Sequence, residues 1–398
     1  MIRNYLEQLD DLLKEDIATI QMRVRSTFDQ LSSPFEKNIV LFGAGNLGRR
    51  TLAGLRKLGI EPLAFSDKNS SHWDSNLDGV QVFSPSEAVR IFGDRAVFVL
   101  TILSDTYGHP LNEIQSLLSS YGPVKVVSFT FLYWKYADTF LPYFCLDLPY
   151  KILDQVESVH AVAKLWADDA SRIEYLAQLK WRLHLDFNVL PKPVSHPPYF
   201  PPDLFSLGLE TAFVDCGAFD GDTIRDFLEH QGSSFHKIFA FEPDKVNFEK
   251  LENYVVTLPE SINEKIILFE LAVGKRRETV HFEAAGTMQS VVKESGDIEV
   301  ESVPLDEVLA NTIPTYVKMD IEGAELDALL GMKNIIKEEP PILAISVYHK
   351  IDDLWQLPLL MNSLSDKYKF FLRPHGAAVL DLVCYAVPSI YVLVEEKS

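Results

Sequence analysis

Residues 211–223 read TAFVDCGAFDGDT. An apolar run ends at Asp215, and Gly217 and Gly221 follow it in the spacing D-x-G-x-x-x-G. The pattern predicts a strand that turns sharply into a helix, with glycines that allow the tight turn and let a ligand approach the backbone without meeting a Cβ atom. Backbone amides at the start of the following helix would then face an anion, and an amino-acid carboxylate such as that of methionine suits them. Asp215 and Asp220 favour a ligand that also carries positive charge and would repel a pyrophosphate. The plainer alternative is a turn that serves packing alone.

Reading outward from this turn gives a series of strands. KIFAFEP (237–243) ends at Glu242, 27 residues after Asp215, where a carboxylate can accept from both hydroxyls of a ribose. IILFELAV (266–273) places Glu270, Leu271 and Ala272 where an adenine would lie. TYVKMDI (315–321), ILAISVYH (342–349), KFFLRPHG (369–376) and a closing IYVLVEE (390–396) follow, with helical stretches between most of them. Such alternation implies a parallel-rich sheet covered by helices on both faces, with ligands at the carboxyl ends of its strands. In KMDIEGAELDALLG (318–331), Asp320 ends a strand and is read as opening a helix with Glu322 and Glu325. Asp320 can orient a hydroxyl, take its proton or, with Glu322, hold a divalent metal. Helix capping is the plainer role for these acids. His349 ends the next strand and is a candidate base, or else a buried, hydrogen-bonded histidine.

Composition narrows the classes. The chain has 398 residues, room for two domains, and a formal charge of −20, which disfavours nucleic acid and anionic membranes as main partners. Three cysteines, Cys145, Cys216 and Cys384, make neither a disulfide framework nor a zinc site, so no resident metal is assigned. The N-terminus is too polar for a secretory signal, and no apolar run reaches the length of a membrane span; a cytoplasmic protein is expected.

The back half resembles the FkbM family of S-adenosylmethionine-dependent methyltransferases. The resemblance covers about 200 residues and runs through YFPPDLF (199–205), VDCGAFDGDT (214–223), FEPD (241–244), LAVG (271–274), PLDEVL (304–309), KMDIEGAE (318–325), SVYHK (346–350) and YAV (385–387). It implies a Rossmann-like, seven-stranded class I methyltransferase sheet with a reversed last strand. It also implies that Asp215, Gly217, Ala218, Phe219, Asp220, Gly221, Thr223, Glu242 and Pro243 hold S-adenosylmethionine, with Asp320, Glu322 and His349 at the reacting edge. Family members methylate oxygen on sugars and natural-product hydroxyls, so a carbohydrate or small-molecule acceptor is implied.

The front half carries a second α/β pattern. In NIVLFGAGNLG (38–48) a short strand runs into Gly43, Gly45 and Gly48, with Asn46 and Leu47 inside the turn, and Asp67 closes the next strand 19 residues past Gly48. This is the dinucleotide spacing in its proper strand–turn–helix setting. It supports a nucleotide or sugar-nucleotide site, and hence an NAD(P)-dependent or sugar-nucleotide-binding protein as the alternative function; a fold kept for packing or for forming a homo-oligomer is the other reading. Asp105, Tyr107 and His109 follow a later strand without clear acid–base spacing. The expected organisation is an N-terminal helix over 1–33, a small Rossmann-like domain over 34–135, a helical and proline-rich linker over 136–205 and the second Rossmann-like domain over 206–398.

Overall fold

The computed structural model describes residues 2–102, 110–282, 292–293, 298–376 and 379–393. Asp105, Tyr107 and His109, and the end of the expected closing strand, lie outside them. The chain forms two compact units, one from 1–156, 176–193 and 376–380, the other from 157–175, 194–375 and 381–398.

In the first unit the strands are β1 (Ile39–Phe42), β2 (Ala64–Ser66), β3 (Asn76–Leu77), β4 (Val80–Phe83), β5 (Val97–Leu100) and β6 (Lys125–Ser128), in the order β3-β4-β2-β1-β5-β6. All neighbouring pairs are parallel except β3–β4. Side chains of β1 alternate between two apolar layers, as the pleat demands. Ile39 and Leu41 pack with Phe28 and Trp134, while Val40 and Phe42 pack with Phe92 and Leu118. The single helix expected over 1–33 is two, Ile2–Leu12 and Ile17–Ser32. Asp16 separates them because its carboxylate caps the second, accepting from the Thr19 amide at 2.9 Å.

The second unit holds the seven strands that matter for the site. They are β7 (Ala212–Cys216), β8 (Lys237–Phe241), β9 (Ile266–Phe269), β14 (Tyr316–Met319), β15 (Ile342–Ser346), β16 (Tyr368–Pro374) and β17 (Leu382–Pro388), in the order β16-β17-β15-β14-β7-β8-β9. β17 runs antiparallel to both its neighbours, and the other six strands all run in one direction. This is the seven-stranded α/β sheet with a reversed last strand that the family resemblance implies.

Three elements differ from the sequence reading. The expected strand over 266–273 breaks at Glu270–Leu271, and its end, β10 (Ala272–Val273), joins a separate small sheet with β11 (Glu278–Phe282), β12 (Val292–Lys293) and β13 (Ile298–Val303). The closing strand is 382–388, not 390–396; Ser389–Tyr391 is a 3-10 turn after Pro388. β17 is buried along its whole length, so LVCYAVP shows no alternation to mark its boundaries. Asp320 opens no helix: the chain turns through Glu322 and Gly323, both at positive φ, before the helix begins at Glu325.

Candidate active site

The carboxyl ends of β7, β8, β14 and β15 lie side by side, and each carries part of the site. After β7 the chain turns at Gly217, whose φ is +82°; a Cβ there would stand 2.1 Å from the Asp320 carbonyl oxygen. Only glycine admits this approach of two loops. The Asp320 amide donates to the Cys216 carbonyl at 3.1 Å, which fastens the β14 loop to the β7 loop. The expectation that the loop amides face a ligand is not met at four positions. Gly217 and Ala218 donate to the Phe241 carbonyl, Phe219 to Glu242, and Gly221 to the Ala218 carbonyl. The turn is braced from within, and its amides are spent on the brace.

Asp215 is covered as well. Its side chain has no exposed surface, and Lys318 of β14, 3% exposed, holds its carboxylate at 3.0 Å. Burial pushes the Asp215 carboxyl up to about 6, against the pull of the Lys318 charge. Burial alone would lower the lysine; the charges of Asp215, Asp320 and Asp222 instead raise it. The ammonium also donates to the Gly217 carbonyl at 2.7 Å. The pair therefore shapes the turn from beneath. Lys318 was given no role in the sequence, although a lysine inside the apolar run TYVKM signals a buried counter-charge.

Glu242, at the end of β8, accepts from the Phe219 and Asp244 amides, each at 2.9 Å. Burial raises its carboxyl to about 7. Each oxygen keeps a lone pair for a further donor. Pro243 beside it is partly exposed, as are Phe219 and Asp220 in the turn, whereas Ala218 and Gly221 are buried. Asp220 is ion-paired with Arg225, and the buried Thr223 lies in the first turn of the next helix. Glu270 is exposed and Leu271 partly so in the two-residue link after β9; Ala272 is buried in the small sheet.

Asp320 gathers the second half of the site. Its carboxylate accepts from the Tyr199 hydroxyl at 2.8 Å and the Tyr348 hydroxyl at 3.3 Å, and lies 3.2 Å from His349 Nε2. Glu322 approaches the same Nε2 at 3.8 Å, while Nδ1 is 2.9 Å from Glu325 Oε1, which also accepts from the Ile321 amide. Burial would raise Asp320, yet the His349 hydrogen bond and charge hold it well below the usual carboxylate range. His349 is raised despite its burial by Glu325 and Asp320. Its two ring nitrogens are thus held between acids, which matches the buried, hydrogen-bonded alternative of the sequence reading more closely than a solvent-facing base. Burial pushes Glu322 up to about 7. Among the described residues, Asp320, Glu325 and His349 each offer a ligand atom within 4.8 Å of the others. Tyr199 and Tyr348 were given no role from the sequence, although both sit inside the quoted motifs YFPPDLF and SVYHK; Glu325 was read there as a helix-capping or functional acid.

The front turn is built alike. The Gly43 amide donates to the Ser66 carbonyl at 2.8 Å, and Gly48 passes so close that a Cβ would stand 2.0 Å from the Gly43 carbonyl oxygen. Asp67 accepts from the Ala44 and Asn69 amides, both at 2.7 Å. Gly45 and Asn46 are exposed at the start of helix Asn46–Lys57, with Leu47 partly buried behind them.

Residues 215–372 match the family model of the methyltransferase FkbM domain. No curated protein matches the chain. Among solved structures, methyltransferase FkbM from Methylobacillus flagellatus KT is similar over 97% of this chain and 98% of its own, with 21% identity and a TM-score of 0.75, and so shares the fold. A putative rRNA-methylase from Clostridium thermocellum aligns with 48% of this chain and 90% of its own at 8% identity, with a TM-score of 0.32. UDP-D-quinovosamine 4-dehydrogenase from Vibrio fischeri aligns with 23% of this chain and 76% of its own at 21% identity, with a TM-score of 0.19. The last two scores are too low to bear on fold or function.

Proposed function

We propose an acceptor class for a chain whose FkbM methyltransferase domain, residues 215–372, makes it an S-adenosylmethionine-dependent methyltransferase: the hydroxyl of a sugar, a glycoconjugate or a natural product. The observation that carries this reading is the contact of the Gly217 turn with the Asp320 loop. It sets a loop suited to the cofactor directly against an anionic group suited to an alcohol.

The fit to the cofactor rests on the chain's own features. Glu242 has lone pairs to spare for ribose hydroxyls, and Phe219, Asp220 and Pro243 beside it are partly exposed. S-adenosylmethionine supplies an electrophilic methyl group on a sulfonium, so the protein need supply only orientation and a destination for a proton. Tyr199, Tyr348 and His349 fix Asp320 as an anion that accepts a hydrogen bond from the incoming hydroxyl. As the oxygen gains its methyl group, its proton passes to Glu322, whose carboxyl burial raises to about 7, while Asp320 holds the hydroxyl as hydrogen-bond acceptor. The acidic surroundings also suit a neutral, hydrogen-bonding acceptor better than a phosphate backbone. For the first unit we propose a nucleotide or sugar-nucleotide ligand at Gly43, Gly45, Asn46, Leu47 and Gly48, supported by the exposed helix start at Gly45 and Asn46.

Calorimetry with S-adenosylhomocysteine tests the reading. We expect one site per chain with micromolar affinity. Folded protein with no measurable affinity would remove the cofactor assignment, and with it the acceptor. Native mass spectrometry of the purified chain reads both units at once.

A further inference from the structure

The geometry around His349 points to a divalent transition-metal site formed by His349 Nε2, Asp320 and Glu322. The inference rests on the methyl-transfer reading only for its purpose, since the ligand set is argued from the approach of two carboxylates to one buried histidine nitrogen.

Glu325 Oε1 lies 2.9 Å from His349 Nδ1 and at the same time accepts from the Ile321 amide, also at 2.9 Å. It is fully buried. A carboxylate held in this way fixes the ring and directs Nε2 outward; metal-bound histidines share this arrangement, giving their other N–H to a carboxylate that sets the tautomer and raises ligand basicity. Nε2 belongs to a side chain only 2% exposed and faces oxygens of Asp320 at 3.2 Å and of Glu322 at 3.8 Å. Ligand atoms bound at about 2.1 Å stand roughly 3.0 Å apart around an octahedral ion and 3.4 Å apart around a tetrahedral one. The first distance already lies in that range. The second is longer, so Glu322, whose side chain is 23% exposed, must swing in toward both His349 and Asp320 to complete the set.

The surroundings are rich in carboxylates: Asp320, Glu322 and Glu325 stand 3.2, 3.8 and 2.9 Å from the His349 ring nitrogens, and a divalent cation would take the place of any proton on Nε2. One imidazole nitrogen with two carboxylate oxygens suits Mn2+ or Zn2+ better than Mg2+ or Ca2+, which favour all-oxygen sites. Three protein ligands leave positions open. A hydroxyl of the acceptor bound there would be oriented beside the Gly217 turn and would hold its proton less tightly.

The test is a titration of the full chain, stripped with a chelator, with Mn2+ followed by loss of the free-ion electron paramagnetic resonance signal, and with Zn2+ followed by calorimetry. One site per chain is expected, with affinity at least tenfold weaker in Glu322→Gln. Glu322 is partly exposed, so that variant should fold, which circular dichroism checks; His349→Asn should abolish binding. Wild-type protein that is folded and takes up neither ion at about 1 mM overturns the site (a concentration on the order of 1,000 times a micromolar Kd). Binding that survives both substitutions unchanged also overturns it. S-adenosylhomocysteine affinity, measured on the same stripped sample, separates the two ideas: its retention without metal uptake removes this site alone, whereas its absence alongside metal uptake removes the methyl-transfer reading alone.

Discussion

Lys318→Met isolates what the buried pair beneath the glycine turn contributes. The two side chains are 3% and 0% exposed and meet at 3.0 Å. At an effective dielectric of about 20, a contact of that length has a Coulomb energy of roughly 5–6 kcal/mol. Removing one partner of such a pair costs about 3–5 kcal/mol, because the other charge is left buried. The cost must also depend on pH. The Asp215 carboxyl titrates at about 6 in the folded chain, above its value in an unfolded one, so the folded state binds the extra proton and stability falls as pH rises toward 6. Without Lys318 the carboxyl rises further, and the loss continues above pH 6 where the wild type has levelled. The gap between variant and wild type should then widen by up to about 1.4 kcal/mol per pH unit, or roughly 3 kcal/mol between pH 6 and 8. Hydrogen exchange in a urea series, read on peptides spanning β7 and β14, reports this region without assuming that both units unfold together. Asp215→Asn combined with Lys318→Met should recover most of the loss, since neither charge remains. A variant as stable as wild type at pH 8, a gap that stays flat with pH, or a double variant no better than the single one would refute the argument.

Two further outcomes follow from the same geometry. Gly217→Ala sets a methyl group 2.1 Å from the Asp320 carbonyl at a φ of +82°, so it should cost on the order of 3 kcal/mol and abolish S-adenosylhomocysteine binding, whereas Gly45→Ala, with nothing within 4 Å of its Cβ, should leave the fold intact; thermal unfolding and calorimetry check both. Glu242, with its carboxyl at about 7, accepts fully from ribose hydroxyls only once ionised, so affinity for S-adenosylhomocysteine should rise between pH 6 and 8 and the rise should vanish in Glu242→Gln.

The strands that bear the site were legible because each is a short apolar run closed by a polar residue: Asp215, Glu242, Asp320 and His349 mark the ends of β7, β8, β14 and β15. β17 was not, because a strand buried on both faces has no alternation, and LVCYAVP merges with the apolar residues after it. The split after Phe269 was hidden for a related reason: both pieces are apolar, and only the pairing of Ala272 with Ser302 shows that the second has joined another sheet. Within the site, residue type and position gave the members but not their partners. Asp215 reads as a ligand contact until Lys318 is seen beside it, and His349 reads as a base until Glu325 and Asp320 are seen on its two nitrogens. Those partners lie as much as 103 residues away in the chain, where periodicity carries no information.

The two halves show why the acid after the second strand is a poor marker of function taken alone. Asp67 accepts from Ala44 in the turn and from Asn69 two residues on; Glu242 accepts from Phe219 in its turn and from Asp244 two residues on. The carboxylate is first a brace that ties a glycine turn to the neighbouring strand, and only secondarily a group that a ribose can use. What separates the halves is the strand on the other side of the turn. Gly217 lies against Asp320, and Gly43 in the same manner against Thr101 and Ile102, each glycine leaving room for a carbonyl oxygen. The back turn therefore borders a carboxylate with two tyrosines and a histidine around it, whereas the described part of the front turn borders a threonine and an isoleucine. One scaffold used twice gives two similar glycine turns, and what tells them apart is the residue that ends the adjoining strand.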